Sequence, residues 1–224
     1  MYIGKLFKKL PAKYYSHKFK DLSLDSRKCK KNDIFFSIKG VKKNGNKFIN
    51  DAIKNGAKTI VSDLNFQGKK KNILFIRSNN VRKLLSEIAS KFYNETPKNL
   101  VAITGTNGKS SIASFYHQIL SNKKLNVASI GTLGIKINSS NKLTYNTTLD
   151  PISIHKNLSL MKRKKITNTI LEASSHGLKQ NRLDGLKFDI SIFTNLSRDH
   201  LDYHKTYKDY FNSKLILFKK LTKR

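Results

Sequence analysis

Four β-forming residues, Leu100-Val101-Ala102-Ile103, run directly into Thr104-Gly105-Thr106-Asn107-Gly108-Lys109-Ser110-Ser111, and a helical pattern follows from about Ser110 to Leu120. A strand joined to a helix by a glycine-containing turn lets backbone N–H groups converge where the helix dipole is positive, an arrangement suited to phosphate oxygens. Lys109 can reach β- and γ-phosphates as a point charge, and the Ser110 hydroxyl is placed for Mg²⁺. The general phosphate-loop pattern has a glycine five residues before its Gly-Lys pair. That position holds Ile103, so the match is partial. Without its strand and helix the segment would read as a glycine turn beside a surface lysine.

The rest of the chain supports an α/β reading. Ile34 to Ile38, Thr59 to Val61 and Ile73 to Ile76 are strand-like runs. Phe48 to Ala57 has helical spacing and ends at Asn55-Gly56, a plausible C-cap. Val81 to Phe92 is amphipathic, with Val81, Leu84, Leu85, Ile88, Ala89 and Phe92 on one side. Glu95-Thr96-Pro97-Lys98-Asn99 is polar, and Pro97 disfavours helix just before it, so a boundary is set between residues 97 and 98. Beyond it, strand-like runs at Val127 to Ile130, Ile166 to Ala173 and Phe188 to Phe193 alternate with helical segments, one of them near Ile152 to Lys162. This alternation predicts a mainly parallel sheet covered on both faces.

Composition bounds the function classes. The 224 residues carry a formal net charge of +31 and are 38% hydrophobic, enough to bury a core. Such a charge suits a nucleic-acid partner. The lysines, however, are spread along the whole chain, and arginine, the bidentate base reader, is scarce. The excess therefore reads as compositional bias, with no nucleic-acid partner expected. The alternative, a basic nucleic-acid module, would lose affinity steeply with salt. The single cysteine, Cys29, precludes an intrachain disulfide and suits a reducing cytoplasm. No apolar run approaches the ~20 residues that span a bilayer, so no membrane insertion is expected.

Taken together, the segments resemble the Mur ligases. Thr104 to Ser110 is that family's form of the loop. Glu172-Ala173-Ser174-Ser175-His176-Gly177-Leu178 and Thr194-Asn195-Leu196-Ser197-Arg198-Asp199-His200-Leu201-Asp202-Tyr203-His204 are similarly characteristic. Leu24-Asp25-Ser26-Arg27, Asn146-Thr147-Thr148, Gln180 and Arg182 resemble the members that extend a UDP-N-acetylmuramoyl-dipeptide by a third amino acid, diaminopimelate or lysine. Leu149 departs from a proline common in the family. A folylpolyglutamate-type ligase shares the loop, but the Asp25-Ser26-Arg27 segment belongs to the muramyl-peptide members.

The resemblance implies an N-terminal precursor-binding domain over residues 1–97 and a P-loop-type ATP-binding domain over 98–224. Family members are longer. It therefore also implies that the central domain is incomplete here, that the amino-acid-binding domain is missing, and that this chain is inactive by itself. ATP would rest on Gly105, Thr106, Asn107, Gly108, Lys109, Ser110 and Ser111. Mg²⁺ would be held by Ser110, Glu172 and His200. Leu24, Ser26, Val41, Lys42 and Lys43 would hold the UDP portion. Asn146, Thr147, Thr148, Ser174, Gln180 and Arg182 would hold the muramyl peptide.

From the residues alone, His200 reads as a hydrogen-bonded loop histidine, and Ser26 and Thr147 as turn caps. Lys214 falls among Tyr207, Tyr210, Phe211, Leu217, Phe218 and Leu221 on one helical face. The usual outcome for such a lysine is to snorkel to the surface. Burial would instead free its neutral amine, and the resemblance implies that Lys214 carries a CO₂-derived carbamate, as N6-carboxylysine.

Overall fold

The computed structural model describes residues 1–40, 44–144 and 146–223. They form two compact units, Met1–Phe92 and Tyr93–Arg224. Both are mixed α/β with mainly parallel sheets; the alternating pattern predicts the parallel sheet for the second, while the first is expected only as an α/β unit.

The first unit contains β1 (Leu22–Ser23), β2 (Ile34–Phe36), α1 (Ile49–Lys54), β3 (Thr59–Ser62), β4 (Gly68–Lys70), β5 (Ile73–Arg77) and α2 (Val81–Phe92). The sheet order is β1-β2-β3-β5-β4, parallel except for β4 against β5. Ile49 and Ala52 of α1 pack with Phe35, Ile60 and Ile73 in one core cluster. The alternate residues Ile34, Phe36, Val61 and Leu74 are also buried, so both faces of the central strands are covered. Helix α2 buries Val81, Leu85, Ile88 and Ala89, one stripe at helical spacing.

The second unit contains β6 (Asn99–Thr104), α3 (Lys109–Asn122), β7 (Val127–Gly131), β8 (Gly134–Ile137), β9 (Ser140–Lys142), α4 (Pro151–Arg163), β10 (Asn168–Glu172), α5 (Ser175–Lys179), β11 (Ile190–Phe193), α6 (Leu201–His204) and α7 (Tyr207–Ile216). Its sheet runs β11-β6-β10-β7-β8-β9. The first four strands are parallel, and β8 and β9 add an antiparallel edge. Leu100 and Ala102 face one core, which includes Ile154, Leu158 and Met161 of α4. Val101 and Ile103 face the other, with Ala113 of α3. The register pairs Ile103 with Glu172 and Thr104 with Phe193, so β6, β10 and β11 deliver their carboxyl ends to one edge. Open parallel sheets present ligand sites at that edge.

Two expectations need correction. The Phe188–Phe193 run starts its strand only at Ile190; Phe188 is a buried core residue bridged to Thr222. The single apolar face expected after Thr206 splits. α7 turns Tyr210, Ser213 and Lys214 inward at i, i+3 and i+4, with Leu217 just after it also buried, which leaves Tyr207 and Phe211 exposed. From Leu217 to Leu221 the chain widens into a π-turn, which moves later residues off an α-helical stripe. Of the two readings open for Lys214, snorkelling and burial, the structure has burial: it is 1% exposed.

Candidate active site

The loop between β6 and α3 is shaped by two glycines. Gly105 has φ +146°, and a Cβ there would meet Thr194 Oγ1 at 1.8 Å. Gly108 has φ +82° and caps α3 in open space. The loop is braced by the segment after β11. Thr106 N donates to Asn195 O (3.0 Å), Asn107 N to Asn195 Oδ1 (3.0 Å), and Thr194 Oγ1 to Asn107 O (2.7 Å). Ser197 N donates to Thr106 Oγ1 (3.0 Å), which also meets Tyr210 OH at 2.9 Å.

Two lysines converge on one carbonyl. Lys109 Nζ donates to Gly105 O (2.9 Å) and Thr106 O (2.8 Å). Lys214 Nζ donates to Gly105 O at 2.7 Å and lies 4.3 Å from the centre of the Tyr210 ring. Burial lowers the Lys109 pKa against the opposing pull of Glu172 and Asp199. Burial, with Lys109 as a like-charged neighbour, lowers that of Lys214 to about 8. Its neutral amine is therefore accessible near neutral pH.

Glu172 ends β10 and is 2% exposed. Its carboxylate accepts from Ser110 Oγ (2.9 Å), Thr132 N (3.0 Å) and Thr132 Oγ1 (3.1 Å). At Gly131 a Cβ would meet Glu172 Oε1 at 2.0 Å, so the carboxylate occupies space that a side chain would fill. Thr147 Oγ1 meets Thr132 Oγ1 at 3.0 Å. Thr148 Oγ1 donates to Glu172 O (2.8 Å) and accepts from Ser174 N (2.9 Å). Ser174 Oγ caps α5 through Gly177 N (3.1 Å). Arg182 holds Thr148 O (2.6 Å) and Gln180 Oε1 (2.8 Å), and Gln180 Nε2 reaches Tyr203 OH (3.1 Å).

The structure thus brings Lys109, Ser110, Glu172, Thr147, Thr148, Ser174, Gln180, Arg182 and Lys214 into a connected set of side chains and backbone. Ser111 and Asn146 are exposed beside it. His200 precedes α6 with φ +53°; its ring packs edge-on against His176 at 4.9 Å, and Asp199 Oδ2 lies 3.5 Å from Nε2. In the first unit, Ser26 is buried and opens a 3₁₀ turn. The turn is capped by Asp25, which accepts from Arg27 N at 3.1 Å. Leu24, just before it, is half-buried. Val41, Lys42 and Lys43 lie outside the described residues. Sequence reasoning missed Gly131, Thr132 and Tyr210 as parts of the site. The only sign of the first two was a Gly-Thr pair immediately after a strand.

Among the described residues, no group of three or more His, Cys, Asp and Glu gathers to hold a metal. No helix among them is long and apolar enough to cross a membrane.

The Mur ligase middle-domain model matches residues 103–224, more than half the chain. The chain belongs to the Mur ligase family. A second model of the Mur ligases, for the family's catalytic domain, matches residues 18–93. The UDP-N-acetylmuramoyl-L-alanyl-D-glutamate--2,6-diaminopimelate ligase of Rickettsia montanensis is 43% identical over 212 residues, covering 92% of this chain and 43% of the relative. The ligase of that name from Clostridium tetani (strain Massachusetts / E88) is 42% identical over 204 residues, covering 89% and 42%. The chain therefore spans less than half the length of these curated relatives. A solved structure of a ligase of the same name superposes with a TM-score of 0.83 at 31% identity, covering 98% of this chain and 45% of that one. The MurF ligase from Thermotoga maritima in complex with ADP shares the fold, with a TM-score of 0.62 at 19% identity over 89% of this chain and 43% of that one.

Proposed function

We infer that this Mur ligase is a cytoplasmic, ATP-dependent amide ligase of cell-wall precursor synthesis. It adds the third amino acid to UDP-N-acetylmuramoyl-L-alanyl-D-glutamate. Diaminopimelate is the favoured amine because the relatives at 40–43% identity are named for it; lysine is the alternative to be tested. Residues 1–97 form the precursor-binding domain and residues 98–224 belong to the ATP-binding domain. One observation carries the reading. Lys109, Ser110 and Glu172 meet at the carboxyl edge of one parallel sheet, with a buried lysine, Lys214, on the same loop carbonyl.

A carboxylate acylates poorly because its charge repels a nucleophile and oxide leaves badly. Transfer of the γ-phosphoryl group from ATP to the D-Glu carboxylate yields ADP and an acyl phosphate. The incoming amine attacks the carbonyl carbon and phosphate leaves, forming the amide. Such transfer depends on positioning and charge stabilisation. Lys109 and the amides of residues 105–111 hold the phosphates. In the first unit, Leu24, Ser26, Val41, Lys42 and Lys43 are assigned to the UDP portion. In the second, Asn146, Thr147, Thr148, Ser174, Gln180 and Arg182 are assigned to the muramyl peptide.

The Ser110 hydroxyl and Glu172 carboxylate are adjacent oxygens of the kind that Mg²⁺ prefers, so the pair fits this ion. Bound there, Mg²⁺ supplies neutralisation of phosphate charge. His200 offers a nitrogen, and its assignment to a second Mg²⁺ rests on the family resemblance. Lys214 is assigned a carbamate: its neutral amine adds to CO₂ and loses a proton, leaving an N-linked carboxylate.

Isothermal titration of the chain with Mg²⁺–ATP and with the UDP-linked dipeptide tests the reading. Lys109→Ala is expected to weaken ATP binding roughly ten- to hundred-fold, the worth of charge-assisted contacts, and to spare the dipeptide. Equal loss of both ligands, or binding of neither by the parent chain, would refute it. In an enzyme extended to its relatives' full length, mass detection of the ligated product with each amine decides between diaminopimelate and lysine.

A further inference from the structure

His204 ends α6 and is fully buried. Both of its ring nitrogens are engaged. Nε2 lies 2.9 Å from Ser175 Oγ. Nδ1 lies 3.4 Å from Ser213 Oγ and 3.5 Å from Asp209 Oδ2. Ser175 opens α5, directly after Ser174. Asp209 and Ser213 stand on α7, Ser213 directly before Lys214. One imidazole therefore spans two helices that carry different parts of the site. Lys179 pairs with Asp209 at the outer side of the same junction. The Tyr203 and Tyr210 rings pack against the imidazole at 4.8 and 5.3 Å between centroids.

The position of α7 decides whether Lys214 reaches the loop. Its amine meets Gly105 O at 2.7 Å, and Tyr210 of the same helix meets Thr106 Oγ1 at 2.9 Å. A hydrogen bond weakens steeply once donor and acceptor separate beyond the ordinary range, so a shift of about 1 Å would break both contacts. A neutral imidazole suits this junction because it offers one donor and one acceptor on a rigid ring.

We propose that His204 is a positioning residue for Lys214, a buried strut that fixes α7 against α5 and holds the Lys214 amine on the phosphate loop. Its catalytic meaning rests on the ligase reading of Lys214. The test reads the position of the amine and not turnover, so the two can fail separately.

The experiment is amine-reactive footprinting of the chain, with labelling rates at individual lysines read by mass spectrometry. Wild-type Lys214 is expected to be protected. His204→Leu keeps the bulk and removes both hydrogen bonds. It is expected to raise labelling at Lys214 roughly ten-fold by increasing local opening, and to leave Lys109 and exposed Lys187 unchanged. His204→Gln, which restores a donor and an acceptor, should stay near the wild-type rate. Ser175→Ala removes the far anchor and serves if the leucine variant does not fold; it should also raise Lys214 labelling. Unchanged labelling of Lys214 in the leucine and alanine variants would overturn the proposal. So would a rise shared by Lys109, which would mark general loosening, or a glutamine variant labelled as fast as the leucine variant.

Discussion

Gly105→Ala separates what the phosphate loop demands of its backbone from what it demands of its side chains. Residue 105 adopts φ +146°, a region that L side chains rarely enter. The added methyl would also approach Thr194 Oγ1 to 1.8 Å, Thr194 Cβ to 3.0 Å and Asn195 N to 3.2 Å. Thr194 cannot swing away freely, because its hydroxyl donates to Asn107 O at 2.7 Å. Backbone strain of about 1–3 kcal/mol adds to an overpacking cost of about 1–3 kcal/mol, so a loss of about 3 kcal/mol is expected. Gly108→Ala is the control. Its φ is also positive, at +82°, but nothing lies within 4 Å of the added Cβ, and about 1 kcal/mol is expected. For a chain of this size the two variants should melt about 4–8 °C apart, with Gly105→Ala the lower. Thermal unfolding followed by circular dichroism measures the difference. Equal melting temperatures, or a lower one for Gly108→Ala, would refute the claim that Thr194 closes on the loop at residue 105.

Other substitutions probe the remaining parts. Lys214 titrates at about 8 in the folded chain and at an ordinary lysine value when unfolded. The unfolded chain then holds more protons between about pH 8 and 10.4, and stability rises across that window by on the order of 3 kcal/mol. Lys214→Met should remove that part of the rise, as read from urea unfolding of variant and parent at pH 7.5 and pH 10; parallel curves would contradict it. In the ligation assay of an enzyme extended to its relatives' full length, Lys214→Ala should lose activity and regain part of it with added short carboxylates, and full activity without them would exclude the carbamate role. Thr148→Val keeps the shape but strips the hydroxyl from Glu172 O and Ser174 N, so a loss of about 1–3 kcal/mol in urea unfolding is expected.

The phosphate loop was legible because its determinants are local: a β run, two glycines, a lysine and a helix start. Helix α4 was legible as a helical segment near Ile152 to Lys162, although its cap Asp150 and the Pro151 of its first turn were not read. The short strands were not. β4 is Gly68-Lys69-Lys70, joined to β5 by backbone pairing, and its two lysines are exposed, so it carries no apolar alternation. The β8–β9 edge hid in the same way, since β9 is wholly exposed. At the site, Glu172 and Lys109 were marked by residue type and motif. Thr132, by contrast, acts through a backbone N–H and a hydroxyl on Glu172, and no composition or period announces that. The fate of Lys214 was open because helical spacing places a residue on a face but does not say what covers the face. Tyr210 and the loop cover this one.

The void at Gly131 ties together two positions 41 residues apart in the chain. The Glu172 carboxylate lies where a side chain at 131 would go, so the two positions share one fixed volume. Bulk added at 131 must be removed at 172 or the carboxylate is driven off Ser110. Gly131→Ala alone is then a lesion at Glu172, and Glu172→Asp does not relieve it, because the added Cβ also meets Glu172 Cγ at 2.6 Å. Genetic drift at one position is admissible only in step with the other, and a hairpin grafted from another protein onto β7 will be accepted only if it enters with glycine at that place.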